Sequence, residues 1–183
     1  MKKLIVFVLI ILAAGTNVVH AQSTVTRSAI TFEIKNLGIS TGGSIAGLMA
    51  KVHFNAANLS ASSIEASVDV GTINTDNSSR DEHLRSEDFF DAAKYPRMTL
   101  KSIAIRHKSG SNYVGTFMLM IKDRSKQVEI PFIYSDKGNA EEFKCSFKIN
   151  RLDFGVGSSS MILSDEVIIH IDCEQKKTET AQL

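Results

Sequence analysis

Apolar and polar residues alternate along most of this chain, and this alternation constrains the fold more than any other feature of the sequence. Within residues 30–35, Ile30, Phe32 and Ile34 are apolar and the residues between them are polar. Further runs repeat the pattern at residues 64–70, 98–101, 128–134, 143–149 and 167–173. A side-chain period of two is typical of β-strands that bury one face, and strands with one solvated face are usually antiparallel. The sequence therefore predicts a mainly all-β domain, built as an antiparallel barrel or a sandwich.

Residues 72–96 interrupt the alternation and carry the features of helix termini. Ser79 is followed three residues later by Glu82, which resembles a capping box, and Ser86 precedes two acidic residues. Pro96 ends the segment. We therefore predict one or two short helices near residues 79–95, packed across one end of the β-structure.

The first 21 residues resemble a secretory signal peptide. Lys2 and Lys3 precede an apolar run of 11 residues, 4–14, which is shorter than the roughly 20 residues of a membrane-spanning helix. Ala21 is a small residue at the expected cleavage site. We predict cleavage after Ala21, a periplasmic or secreted protein, and no stable membrane insertion. An uncleaved membrane anchor is the alternative.

Residues 22–183 form the predicted single domain, with a polar tail that we expect to be frayed from about residue 175. Without Lys2 and Lys3, the 21 basic residues of the chain fall to 19, against 20 acidic residues. A net charge close to zero provides no electrostatic attraction to nucleic acid, so we expect no nucleic-acid partner.

Several motifs occur along the chain in an order that resembles one family. Residues 69–75 (DVGTINT) lead into residues 80–84 (RDEHL), 86–91 (SEDFFD) and 94–96 (KYP). Residues 115–122 resemble a strand and turn of the same family, residues 150–156 read NRLDFGV, and residues 164–167 read SDEV. Together these motifs resemble the YceI-like family of bacterial polyisoprenoid-binding proteins, over residues 30–173.

Two positions depart from the family pattern. Asn36 stands where the family often has a His, which weakens the transfer of a polar ligand contact to that place. Asp123 stands where a Gly often follows the Ile-Lys pair. Because Asp tolerates the left-handed backbone conformation better than most residues, we expect the turn to persist.

The resemblance implies an extended, lipocalin-like antiparallel β-barrel that encloses a long isoprenoid chain, such as a quinone tail or a polyprenyl lipid. A lipid tail needs apolar side chains on the inner face of the barrel, and burying each methylene contributes about 0.8 kcal/mol. The same side chains could instead pack on one another as a core. The candidates for the barrel lining are Phe32, Ile34, Val68, Leu100, Phe117, Leu119, Ile130, Phe132, Phe147, Val167 and Ile169.

Polar residues of the predicted helical segment form a second candidate group. Arg80, Asp81 and His83 lie together there, with Phe89 and Phe90 beyond them. They could orient a lipid head group at the mouth of the barrel. The structural alternative, in which they cap a helix or pair with a strand, is the one that we favour.

The strand at residues 113–122 is apolar on both faces, because Met118 and Met120 alternate with Phe117 and Leu119. One face could meet the lipid while the other meets a helix or a second subunit, which leaves a homodimer open. A strand buried on both faces within one chain is the alternative.

Cys145 and Cys173 are the two cysteines of the chain, and an exported protein can form a disulfide. They are equidistant in sequence from Ser159, so a simple hairpin centred there would place them opposite each other, about 4.5 Å apart at Cα. We predict a cross-strand disulfide or a pair of inward-facing thiols. A shift in register within the glycine-rich loop would separate the pair.

The sequence contains no recognisable catalytic or metal-binding pattern. Its histidines are scattered, and it has neither an HExxH nor a GxSxG motif. We therefore expect a protein that is not an enzyme, needs no metal or cofactor, and binds an isoprenoid lipid as a soluble carrier or store. The alternatives are a lipid-modifying enzyme that uses Arg80, Asp81 and His83, and a structural or interaction barrel filled by its own side chains.

Overall fold

The computed structural model describes residues 25–177, which form β-strands, one α-helix and short 3-10 turns. The strands are β1 (Val25–Asn36), β2 (Ile39–Ile45), β3 (Met49–His53), β4 (Ser63–Asp69), β5 (Arg97–Ser109), β6 (Asn112–Ile121), β7 (Arg124–Asp136), β8 (Ala140–Asn150) and β9 (Leu163–Lys176). Helix α1 (Ser78–Arg85) lies between β4 and β5, and the 3-10 turns are Leu59–Ala61, Val70–Thr72 and Arg151–Phe154. The predicted signal peptide and cleavage site lie outside the described residues.

The strands form a single nine-stranded antiparallel sheet in the order β2-β1-β9-β8-β7-β6-β5-β4-β3. Its edge strands, β2 and β3, are consecutive in the chain, so the sheet curls back towards itself. The segment after β4 helps to close it, because Ser44 in β2 and Asn74 exchange two backbone hydrogen bonds of 2.8 and 3.0 Å. The predicted antiparallel, barrel-like fold with a short helix is confirmed as a curled half-barrel.

Helix α1 begins at a different cap from the one predicted. The side chain of Asn77 accepts a hydrogen bond from the backbone N–H of Arg80 at 2.9 Å, and it therefore caps the helix instead of Ser79. Ser86 ends the helix, and its hydroxyl donates to the His83 carbonyl at 2.7 Å. Asp91 has a φ of 49°, which an α-helix does not allow, so residues 86–96 form turns and the optional second helix is absent from this segment.

The hairpin turn between β6 and β7 is also built differently from the expectation. Lys122, and not Asp123, takes the left-handed conformation, with a φ of 56°. In a two-residue hairpin loop of type II′, the first central residue has the positive φ. The Lys122 ammonium donates to the Gly155 carbonyl at 3.2 Å, which ties this turn to the loop after β8.

The last strand continues further than the sequence predicts. The expected frayed tail begins at about residue 175, but Gln175 is buried in β9 and pairs with Glu141 of β8. Its amide donates to the Glu141 carboxylate at 2.8 Å, and that carboxylate also accepts from the Tyr134 hydroxyl at 3.0 Å. These buried hydrogen bonds hold the end of β9 in the sheet.

The end of strand β6 that contains residues 117–121 buries one face only. Phe117 and Leu119 point into the barrel and are buried, whereas Met118 and Met120 point outward and are exposed. The alternative of a strand buried on both faces is therefore wrong at Met118 and Met120, while Val114, on the same face, is buried. No helix among the described residues covers the two methionines.

Gly115 in β6 makes room for a core aromatic ring. A Cβ atom added to Gly115 would lie 2.2 Å from Cε2 of Phe117, whose ring folds back over the glycine. Phe117 packs with Ile130 and Phe147, all three buried, so its ring has little space to move away. The glycine is therefore required by packing and not by a turn.

We predict that Gly115→Ala destabilises the fold by about 1–3 kcal/mol, since the added methyl overpacks the core. A Gly→Ala change at an unhindered site would instead stabilise by about 0.4–1 kcal/mol. Urea unfolding followed by circular dichroism measures the difference. Gly115→Ala combined with Phe117→Leu should cost less than the sum of the two single changes; strict additivity would contradict the proposed clash.

Candidate functional site

Aromatic side chains fill one end of the barrel. Phe54, from the connection between β3 and β4, packs against Tyr134, Tyr113, Phe143 and Phe132 with ring centroids 4.4, 5.1, 5.6 and 5.9 Å away. Edge-to-face and tilted geometries predominate, which are the favourable arrangements for aromatic pairs. This aromatic cluster packs the interior of the barrel at that end.

The opposite end of the barrel holds a cavity of about 370 Å³. Its volume lies in the range of small-molecule binding sites. Apolar side chains of β1, β4, β5, β6, β8 and β9 form its wall, and helix α1 with Phe89 and Phe90 closes part of its opening. The cavity reaches the surface where the exposed residues Asn36 and His83 contribute to the lining.

Most of the predicted lining residues do line this cavity. They are Phe32, Ile34, Val68, Leu100, Leu119, Phe147, Val167 and Ile169. Phe117, Ile130 and Phe132 face inward as well but lie outside the cavity. Phe117 and Ile130 pack together below it, and Phe132 belongs to the aromatic cluster around Phe54. In this structure these three residues pack in the core and do not border the cavity.

The cavity is also lined by apolar residues that were not among the candidates from the sequence. Ile30, Ile121, Ile149 and Ile171 share the inward parity of their strands, so the alternation itself could have identified them. Leu48, Ile73 and Leu84 lie in connections and in α1, where no period of two exists to mark them.

Asp81 and Arg80 have different roles at the mouth. Asp81 is buried and does not line the cavity; its carboxylate accepts from the backbone N–H and the hydroxyl of Thr75, at 2.9 and 2.5 Å. Arg80 lines the cavity and donates to the hydroxyl and the carbonyl of Thr75 at 2.8 and 2.6 Å. Asp81 therefore holds α1 against residue 75, which agrees with the structural interpretation, while Arg80 stands at the opening.

His83, Phe89 and Phe90 complete the helical side of the mouth. The His83 ring packs edge-on against Phe89 at 4.9 Å between centroids, and its Nε2 lies 3.9 Å from the Asp88 carboxylate. His83 is exposed, and Asp88 is more exposed still. This arrangement presents polar groups to a ligand at the surface but does not form a nucleophile–base pair.

Arg151, the arginine of the NRLDFGV motif, is a buried cation. Its side chain is 4% exposed, and it donates to the carbonyls of Ser164, Val156 and Ser158 at 3.0, 2.9 and 2.8 Å. It also donates to the Asp165 carboxylate at 2.9 Å and contributes to the cavity wall. One guanidinium thus fixes the whole loop between β8 and β9.

We predict that Arg151→Lys destabilises the protein by about 2–4 kcal/mol, because one ammonium group cannot reach four acceptors and leaves buried carbonyls unpaired. Thermal and urea unfolding measure the loss. Arg106→Lys is the matched control, since Arg106 makes only an exposed 3.7 Å contact with Glu129 and should change stability by less than about 0.5 kcal/mol. If the two substitutions reduced stability equally, Arg151 would not hold the loop as proposed.

The two cysteines are free and are not directly opposite each other. Cys145 pairs with Ile171, and Cys173 pairs with Phe143, so the register is shifted by two residues from the predicted one. The disulfide is therefore not present, and the inward-facing thiols remain. Burial raises the pKa of the Cys145 thiol to about 12 and that of Cys173 to about 11. Both thiols are thus protonated, unreactive groups at neutral pH.

We predict that neither thiol of the folded protein reacts readily with iodoacetamide at pH 8, because burial holds both pKa values well above the pH. In denaturant without a reductant, both thiols should be alkylated, and intact mass will count the adducts. Two adducts only after reduction would establish a disulfide, and rapid labelling of the folded protein would contradict the burial.

Residues 25–177 contain neither a metal-binding cluster nor a membrane-spanning helix. No three His, Cys, Asp or Glu side chains are grouped so that they could bind a metal ion. No helix in that part of the chain has the length and apolar character needed to span a membrane.

Comparison with known proteins connects this geometry to a family. The family model for the YceI-like domain matches residues 20–175. A UPF0312 protein of Vibrio cholerae is 28% identical over 160 residues, which cover 82% of this chain and 83% of the relative. The crystal structure of BcnA from Burkholderia cenocepacia superposes with a TM-score of 0.77 at 27% identity, covering 80% of this chain and 95% of BcnA.

A more distant structure shares the fold. A polyisoprenoid-binding domain from Saccharophagus degradans, implicated in plant cell wall breakdown, superposes with a TM-score of 0.67 at 12% identity. The superposition covers 85% of this chain and 97% of that domain. At this identity the likeness concerns the fold.

Proposed function

Since this chain belongs to the YceI-like domain family, we propose that it binds a long apolar isoprenoid lipid, a quinone tail or a polyprenyl chain, inside its barrel and acts as a carrier or store. The observation that carries the proposal is the cavity itself. It lies at the end of the barrel opposite the aromatic cluster, reaches the surface, and is walled mainly by apolar side chains.

The physical chemistry of the cavity favours a hydrocarbon ligand. Each methylene moved from water into the cavity contributes about 0.8 kcal/mol, so a chain of many carbons binds tightly without strong polar contacts. No acidic side chain lines the wall described here, and its cations, Arg80 and Arg151, lie at the end near α1. The name of the Saccharophagus domain, a polyisoprenoid-binding domain, supports the same class of ligand.

The two alternative functions receive less support. Asp81, which a lipid-modifying enzyme would need, is committed to Thr75, and His83 lacks a nucleophilic partner. We therefore propose a binding protein without catalytic activity or a required cofactor. A barrel filled by its own side chains describes the aromatic end but not the cavity end.

We also propose that the protein works in the periplasm or outside the cell, after cleavage at Ala21. The support is the sequence of residues 1–21, with its basic start and short apolar run. A carrier for an apolar chain serves a purpose in an aqueous compartment, where such a chain cannot travel alone.

We predict that Ala66→Phe weakens binding of a prenyl ligand by tenfold or more, because the ring occupies part of the cavity that Ala66 lines. Ala104→Phe is the matched control, since Ala104 is exposed on the neighbouring strand β5 and does not line the cavity. Fluorescence titration with a short-chain prenyl alcohol gives the two affinities, and circular dichroism verifies that both variants fold.

Organic extraction and native mass spectrometry of the purified protein provide a second measurement. We expect a co-purified prenyl lipid in the wild type and a reduced amount in Ala66→Phe. If no lipid is extracted, and if neither variant differs from the wild type in the titration, the proposed function is wrong.

A further inference from the structure

Two neighbouring loops at the mouth of the cavity expose a cluster of large apolar side chains. Leu37 and Ile39, at the turn between β1 and β2, are 71% and 70% exposed. Met161 and Ile162, at the end of the loop before β9, are 104% and 53% exposed. A single exposed apolar residue is ordinary, but a cluster marks an interaction surface. We call these four residues the apolar rim.

The loops that carry the apolar rim are joined and lie beside the cavity opening. The Leu37 backbone N–H donates to the Ile162 carbonyl at 2.7 Å, which links the two loops. Asn36 and Leu163, adjacent in sequence to these two residues, pair with each other and line the cavity. A hydrocarbon chain that enters between the loops would therefore pass the apolar rim.

From this placement we propose that the apolar rim docks the protein on the surface of a lipid bilayer and brings the cavity mouth to the lipid from which the ligand is drawn. This inference rests on the proposed function, since a lipid tail has to leave a membrane to reach the cavity. An exposed apolar rim would shorten the passage of that tail through water.

The absence of charged residues around the apolar rim favours a lipid bilayer over a protein as its partner. Residues 36–50 and 154–164 contain no charged side chain, so the loops can enter the interfacial region without burying a charge. The nearest charged neighbours in sequence, Lys35 and Asp165, have opposite signs. We therefore expect docking that is driven by apolar burial and is insensitive to salt.

Size and local conformation point the same way. The apolar rim has four side chains, whereas a standard protein interface uses about 20–30 residues on each side, so a second copy of the chain is not the expected partner. Leu37 also takes a left-handed φ of 52° at a turn position that favours Asn or Gly. Packing within the chain does not explain the leucine, because its side chain is exposed.

The test compares two variants in which exposed apolar side chains are replaced by serine, one within the apolar rim and one elsewhere on the surface. The combined change Leu37→Ser, Met161→Ser and Ile162→Ser removes most of the apolar rim. The control, Ile103→Ser with Ile133→Ser, removes side chains that are 56% and 46% exposed on strands β5 and β7 and that do not line the cavity. The full chain is expressed and purified after export, and intact mass establishes that all samples share one processing state, since residues 4–14 would themselves bind lipid.

Flotation with phosphatidylcholine vesicles measures docking, and transfer of a prenyl quinone from donor to acceptor vesicles measures extraction. We expect the rim variant to partition onto vesicles at least tenfold less than the wild type and to transfer the quinone several-fold more slowly. The control should match the wild type in both assays. Added salt should change neither the flotation nor the transfer rate.

Binding of a short-chain prenyl alcohol in vesicle-free buffer separates this inference from the proposed function. An unchanged affinity in the rim variant, together with lost docking, supports the inference. Wild-type protein that binds the alcohol but floats no better than the rim variant overturns the docking proposal and leaves the proposed function standing.

Rim-dependent flotation without any alcohol binding overturns the proposed function instead. A rim-dependent change in oligomeric state without flotation would assign the apolar rim to a second copy and would also overturn the docking proposal.

Discussion

The aromatic cluster around Phe54 is the constraint on which the rest of the site depends. Its rings occupy the inner face of β6, β7 and β8 at one end and pack together with centroids as close as 4.4 Å. In this curled sheet of nine strands, aromatic rings fill one end and the cavity lies at the opposite end. Helix α1, the turn before β2 and the loop before β9 all lie at that open end, so each of them shapes access to the cavity.

The alternation of residues predicted the inward face of most strands, though not of β2 and β3, and it did not predict the depth of each residue along the barrel. Phe117 and Leu119 have the same parity in β6, yet Leu119 lines the cavity while Phe117 packs beneath it. Depth depends on which side chains meet across the barrel, and that depends on registers that a single strand does not specify. The sequence therefore predicted the strand type, and most of its lining candidates do line the cavity, while Phe117, Ile130 and Phe132 had to be placed by the fold.

The cysteines also show that residue spacing alone does not predict strand register. A hairpin centred on Ser159 would have aligned Cys145 with Cys173, but Asn150 pairs with Glu166 and every pair along β8 and β9 follows that register. The connecting loop contains a 3-10 turn and is held by Arg151, so it is not a symmetric turn about its midpoint. Side-chain interactions within the loop determine the register, and they were not readable from spacing. The shift keeps both thiols on the inner face, since paired residues share a side of the sheet.

The same hydrogen bonds decide what the mouth offers to a lipid head group. Arg151 carries five N–H groups and donates four of them to the loop and to Asp165, so its charge is already satisfied by the protein. Arg80 donates only two, both to Thr75, and it is exposed, as are Asn36 and His83. A hydrogen bond from such an exposed group replaces one to water and contributes only about 0.5–1.5 kcal/mol, similar to one or two buried methylenes. For the proposed isoprenoid ligand, affinity would therefore depend mainly on the length of tail that the cavity encloses, and the head group would contribute little.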